Sequence, residues 1–240
     1  MDRRQLALGL VLFSLGLAAS PVVRAVENGM RIVDAPYMAV LYGYVPVEGF
    51  KYLCGGVIVA NDTIVTAKSC VPRDVITVRV GYGSASRPGM VTVTSGSFVK
   101  HPSANIALIK IPAIAEDSPA KPIALPDTPL PADAKGMIMG WGEGDSLQQD
   151  LMGGETSQVP NLQCALQRPL SPPFANEFCT LPRSASIAQP VPCLADYGTP
   201  FVFQQRVQGI VSHQVNSRCQ DTRPPVYLRI YPYLDFIRDN

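Results

Sequence analysis

No sign of charge dominates this chain: 20 lysines and arginines stand against 19 aspartates and glutamates, a formal net charge of +1. That balance leaves no electrostatic footprint for nucleic acid or an anionic membrane surface. Histidine is scarcer still, with two in 240 residues. His101 and His213 lie on separate segments and the cysteines suit disulfides, so no metal site is assembled and no cofactor is implied. The longest apolar run, QLALGLVLFSLGLAA from Gln5, falls short of the ~20 residues a membrane span needs. Long charge runs, low-complexity tracts and short-period repeats are also missing. With charged residues at only 16% and hydrophobic residues at 47%, the composition excludes a disordered chain and fits a globular protein with a real core.

What is present begins with a leader. Met1-Asp2-Arg3-Arg4 precedes the apolar run, and small residues at Val23 and Ala25 set a cleavage site after Ala25, the layout of a secretory signal over residues 1–25. Its removal shifts the net charge from +1 to −1, so the secreted protein is near neutral. An extracellular location makes the six cysteines candidates for three disulfides, and spacing alone leaves every pairing open.

Short β-branched segments punctuated by turn formers follow: YMAVLYGYV, GGVIVAND, DVITVRVGYG, GMVTVTSGSFV and NIALIKI. A second series comprises GMIMGWG, TPFVFQQ, VQGIVSH and PVYLRIY. Between them lies IPAIAEDSPAKPIALPDTPLPAD, whose prolines favour an extended surface tether. The pattern predicts an all-β protein of two strand-rich halves, about 36–112 and 135–240, joined by a connector at about 112–134. YPYLDFIRDN predicts a short C-terminal helix.

In order from about residue 31 to the end, RIV, PYMAVLYG, CGGVIVANDTIVTAKSC, HPSANIALIKI, MGWGEGD, NLQC, EFC, CLADYGTPFVF, GIVSH and PVYLRIYPYLDFI resemble the trypsin-like serine proteases. The resemblance implies two six-stranded antiparallel β-barrels over 32–240 with a cleft between them, after a short pro-like segment at 26–31. It also implies the disulfides Cys54–Cys70, Cys164–Cys179 and Cys193–Cys219.

Carried over motif by motif, the same resemblance implies that the catalytic positions are degenerate. The position of the general base holds Ser69, that of its orienting aspartate holds Asn105, and that of the nucleophile holds Tyr197. A serine hydroxyl does not titrate near neutrality, and asparagine brings no charge to stabilise an imidazolium. A phenol with a pKa of ~10 and no base beside it is a poor acyl acceptor. Ala195 stands where the oxyanion hole uses a glycine. Ser212-His213-Gln214 replaces the usual serine, tryptophan, glycine; Pro225 replaces a glycine on the opposite pocket wall, and the pocket floor falls at Val191. The segment Arg31-Ile32-Val33 resembles an activation cleavage site whose new terminus pairs with Asp196. Only Asp34, Ala35 and Pro36 follow before Tyr37, too short a segment for that pairing at 3.3–3.6 Å per extended residue. Asp196 then needs another partner, water or a raised pKa.

The bland readings stand beside these. His101 in HPS matches a structural residue of the family, and His213 has no orienting carboxylate. Lys68 beside Ser69 is no catalytic pair, because sequence neighbours point apart. Trp141 is a packing residue. Asn61-Asp62-Thr63 fits the glycosylation acceptor pattern on a turn. GDSLQQDLMGGET corresponds to a loop bordering the cleft and is a candidate partner surface. The reading is a secreted, non-catalytic serine protease homologue that binds an extracellular protein as cofactor, decoy or regulator, in a setting such as reproductive fluid or an immune protease cascade. No room exists between Ala25 and Tyr37 for an added clip module. The alternative is a hydrolase with a relocated nucleophile.

Overall fold

The structure is a computed structural model that describes residues 26–142, 150–170, 172–182, 184, 189–193, 196–213 and 222–240, apart from the side chains of Val45 and His213. After a two-residue strand β1 (Met30–Arg31), seven strands build the first half. They are β2 (Met38–Val45), β3 (Gly49–Ala60), β4 (Thr63–Thr66), β5 (Val78–Tyr82), β6 (Val91–Ser95), β7 (Ser97–Lys100) and β8 (Ala107–Lys110). All pairings are antiparallel, in the order β6-β5-β2-β3-β4-β8-β7. Only Gly96 separates β6 from β7, so the chain itself joins the two outer edges of this sheet and forces it to curl.

The local sequence explains these strands. In β5, VRVGY buries Val78 and Val80 and exposes Arg79 between them, the alternation of a half-covered strand. All four residues of β4, TIVT, are buried, as befits a strand covered on both faces.

The second half comprises β9 (Lys135–Gly140), β10 (Met152–Val159), β11 (Glu177–Thr180), β12 (Pro200–Phe203), β13 (Arg206–His213) and β14 (Val226–Arg229). These six close into a barrel because β10 pairs with β9 as well as β11, and β1 adds along β10. Closure removes free sheet edges. A short helix α1 (Asn161–Gln167) precedes β11, and α2 (Leu234–Asp239) ends the chain, burying Ile237 as the terminal periodicity predicts. Among the described residues no helix is long and apolar enough to cross a membrane.

One core spans both halves: Val40, Val57 and Leu108 from the first pack in a single cluster with Met139, Trp141 and Ile210 from the second. The proline-rich connector is the expected tether and more than a tether. Ile123 N–H donates to Ile58 O at 2.9 Å, and one residue along, Val207 N–H donates to Ala124 O at 3.1 Å, so the segment is pinned to each half. Ala120, Ile123 and Leu130 are buried.

Two stretches differ from the sequence expectation. The run GDSLQQDLMGGET is not a loop throughout: Leu151 is buried with its N–H on Ala85 O at 2.8 Å, and from Met152 the chain is β10, inside the second barrel. The part of that candidate partner surface at 144–149 lies outside the described residues. Residues 26–31 are likewise built into the second barrel through β1 and a bridge between Glu27 and Val191.

Candidate functional site

Where the halves meet, two glycines let backbone approach backbone. Gly198, at φ +76°, leaves no room for a side chain: a Cβ there would lie 2.2 Å from Thr66 Oγ1 and 2.5 Å from Gly55 O. A Cβ on Gly55 would lie 2.2 Å from Thr199 Cγ2. The approach is sealed by hydrogen bonds, with Gly55 N–H donating to Tyr197 O at 2.9 Å and Thr66 Oγ1 donating to Gly55 O at 2.8 Å. Tyr197 is half-buried at this seam, packed against the cores of both halves.

Ser69 sits on a 3-10 turn at Lys68–Cys70, anchored by the Cys54–Cys70 disulfide, and its side chain is exposed. Its N–H donates to Asn105 Oδ1 at 2.9 Å. The other end of the same amide, Nδ2, donates to Ser212 O at 2.8 Å and Ser212 Oγ at 3.2 Å. Ser212 Oγ in turn lies 3.5 Å from Glu177 Oε1, a long contact in which the hydroxyl donates. The result is a directional polar seam from the first barrel to the second, ending in a buried carboxylate. Glu177 was not singled out in the sequence. Its one signal there is an acidic residue beginning an otherwise apolar strand.

The other expected site residues fall as follows. Lys68 Nζ donates to His101 O at 3.0 Å and Pro102 O at 3.4 Å, which fixes it to a neighbouring turn. His101 Nδ1 accepts from Ala104 N–H at 2.9 Å, and its ring packs edge-on against Tyr233 and Phe236, a structural setting. Val191 and Pro225 are buried, the first bridged to Glu27 and the second accepting from Thr180 N–H. Ala195, Gln214 and the His213 side chain lie outside the described residues. Cys164 pairs with Cys179, and Cys193 is disulfide-bonded, while Cys219 lies outside the description. Trp141 is fully buried, with Nε1–H donating to Ala85 O at 3.2 Å. Asn61 is exposed on the turn between β3 and β4. Among the described residues no group of three or more His, Cys, Asp or Glu is placed to hold a metal.

Beneath Tyr197 lies Asp196, fully buried. Oδ2 accepts from Cys193 N–H at 2.7 Å, Oδ1 from Gly142 N–H at 2.8 Å, and Val26 N–H donates as well. Gly140 makes the room, since a Cβ there would lie 2.0 Å from Oδ1. Burial pushes the carboxyl up from 3.8 to about 6, against the pull of the three donors. The Tyr227 phenol, pushed up chiefly by its own burial, also feels this charge, and so does Tyr52.

As the short segment after Arg31-Ile32-Val33 implies, Asp196 takes its donors from elsewhere in the chain. Ile32 does not approach Asp196: its N–H donates to Leu151 O at 2.8 Å, beside β10. Val26 occupies that place instead, its side chain 1% exposed among Phe178, Phe201, Val211 and Tyr227.

A curled antiparallel sheet, a closed antiparallel barrel, a shared core and a polar seam at their junction define an all-β protein whose candidate site lies between its two halves. The Trypsin family model matches residues 28–237, and the chain belongs to the trypsin family. It is 28% identical over 201 residues to a protein named collagenase from Hypoderma lineatum, covering 78% of this chain and 75% of that one. It is also 28% identical over 204 residues to human putative trypsin-6, covering 79% and 80%. The solved structure of HL collagenase matches with a TM-score of 0.78 at 27% identity, over 89% of this chain and 97% of that one. Neuropsin, a serine protease expressed in the limbic system of mouse brain, matches at 0.70 with 23% identity, over 85% and 93%, a likeness of fold alone.

Proposed function

We propose that this trypsin-family protein is secreted and does not hydrolyse peptide bonds, and that it acts by binding an extracellular protein as a cofactor, decoy or regulator. Reproductive fluid and immune protease cascades are settings that use such folds. The observation that carries the reading is the seat of Asn105. Its neutral amide is used at both ends, by the Ser69 N–H and by Ser212, so it holds the junction together and orients no base. Without an ionised carboxylate at that point an imidazole would lack its electrostatic partner, and Ser69 supplies no imidazole. Of the two histidines, His101 is committed to its turn and its aromatic neighbours. Tyr197 adds a bulky phenol packed into both cores where an acyl acceptor would have to be small and activated.

The test is chemical. Disulfide-intact protein is incubated with a fluorophosphonate probe and with peptide esters, alongside an active protease. No labelling and no turnover above buffer are expected. Stoichiometric labelling of any serine, Ser69 and Ser212 included, would identify a relocated nucleophile and overturn the reading. Affinity capture from the secretion that contains the protein then names the partner.

A further inference from the structure

Away from the junction, a cavity of about 620 Å³ opens where the segment before β2, the connector and the second barrel meet, within the roughly 300–1,000 Å³ of small-molecule sites. Its walls are held by backbone. Lys121 N–H donates to Pro36 O at 3.1 Å, Val207 N–H donates to Ala124 O at 3.1 Å, and Val202 pairs with Met137 between β12 and β9. The space is therefore preformed.

Two half-buried rings, Tyr37 and Phe203, give it apolar surface. The Tyr37 hydroxyl donates inward to Met139 Sδ at 3.7 Å, so the ring is what faces the cavity. Charges stand exposed at the rim: the Asp34 and Glu155 carboxylates against the Lys135 ammonium, a net of −1. The short run Asp34-Ala35-Pro36 delivers the first of these, since a turn closed by Met38 N–H on Ala35 O brings Asp34 to Tyr37. Burial, and then the charge of Asp34, push that phenol up to about 12. Among the described residues no ion pair or hydrogen bond engages the three charged side chains.

The remaining rim is a strained turn. Gln204 and Gln205 join β12 to β13 at φ 49° and 57°, with Phe203 paired to Arg206 behind them. A two-residue turn with both residues left-handed favours Asn-Gly, and glutamine lacks the short side chain whose local hydrogen bond eases that conformation for asparagine. Both glutamines line the cavity, and their side-chain amides make no hydrogen bond among the described residues. Strain kept at the edge of a cavity points to residues that serve a ligand rather than the fold.

We propose that this cavity binds a small organic ammonium with an apolar body: the rings take the body and the face of the cation, Asp34 and Glu155 take its charge, and the glutamine side-chain carbonyls accept its N–H groups. A monocation cancels the net charge of the rim, whereas a carboxylate meets two like charges and a neutral ligand gains nothing from them. None of Ser69, Asn105, Tyr197 and Ser212 lines the cavity, so binding there is separate from the junction and from whether it hydrolyses anything.

Disulfide-intact protein is titrated by calorimetry with phenethylammonium, and with phenylacetate and phenethyl alcohol, which carry the same ring with opposite or no charge. Saturable binding of the ammonium is expected, weakened by salt and roughly fivefold or more tighter than that of the other two. No saturation by about 1 mM, or equal binding of phenylacetate, overturns the proposal. Asp34→Asn and Glu155→Gln should each weaken the ammonium by up to about fivefold, and Ala124→Phe, which fills the cavity from the connector, should abolish its binding. Wild-type affinity in both charge variants, or undiminished binding to a folded Ala124→Phe, overturns the site. Should Ala124→Phe misfold by circular dichroism, the charge variants decide, since they alter exposed side chains alone. The double variant Gln204→Asn, Gln205→Gly relieves the turn, so its thermal midpoint should rise while its affinity falls. A gain in stability with affinity unchanged overturns the part given to the glutamines.

Discussion

Asn105 uses both ends of a neutral amide: it ties the Ser69 turn of the first half to Ser212 of the second. Truncating it leaves the Ser69 N–H and the Ser212 carbonyl without these partners, a loss of about 1–3 kcal/mol. Asn105→Ala should therefore lower the unfolding free energy from urea titration by that amount, while Asn105→Asp, which keeps an acceptor for the Ser69 N–H but loses the Nδ2 donor, falls between. At this scale the sequence was informative for residues carried by motifs. Ser69, Asn105, Ser212 and Tyr197 do converge on the junction, because Ser212 lies within β13 and the other three lie close to the ends of strands whose register fixes them. Glu177 and Val26 were missed for a common physical reason. Their significance lies in what they face across the fold, Ser212 in one case and Asp196 in the other, and nothing in a one-dimensional pattern encodes that contact.

Among the elements, β10 shows where pattern reading fails. MGGETSQV has no β-branched run and carries two glycines, both marks against a strand. The glycines are there because a neighbouring backbone is close: a Cβ on Gly153 would lie 2.4 Å from Ile138 O and 2.9 Å from Met139 Cβ. Gly153→Val should cost more than about 2 kcal/mol through this overlap, read as a drop in thermal midpoint with the family fold retained by circular dichroism. A variant as stable as the wild type would show that β10 can move away from β9. The strands with alternating or β-branched sequence, from β2 to β8 and from β12 to β14, were legible as a group, although TIVT was hidden behind its tight turn. Helix α1 was invisible to periodicity, since only Cys164 is buried along it.

For the molecule as a whole, Asp196 links folding to pH. Its folded pKa of about 6 exceeds the unfolded 3.8, so the folded state binds the extra proton between those values. Stability is then highest below about pH 4 and falls as pH rises through 6, by roughly 3 kcal/mol for a shift of this size. Urea midpoints at pH 4 and 7 should differ in that direction, and Asp196→Asn should flatten the difference. Retention of the slope in that variant would assign it to other groups.

The two halves also share one report on their union. The chain's single tryptophan is fully buried and donates across the junction to Ala85, so intrinsic fluorescence is a one-site gauge of barrel docking. A red shift in emission would register the halves parting even if each kept its strands, and its absence during partner capture would mark binding that leaves the pair engaged.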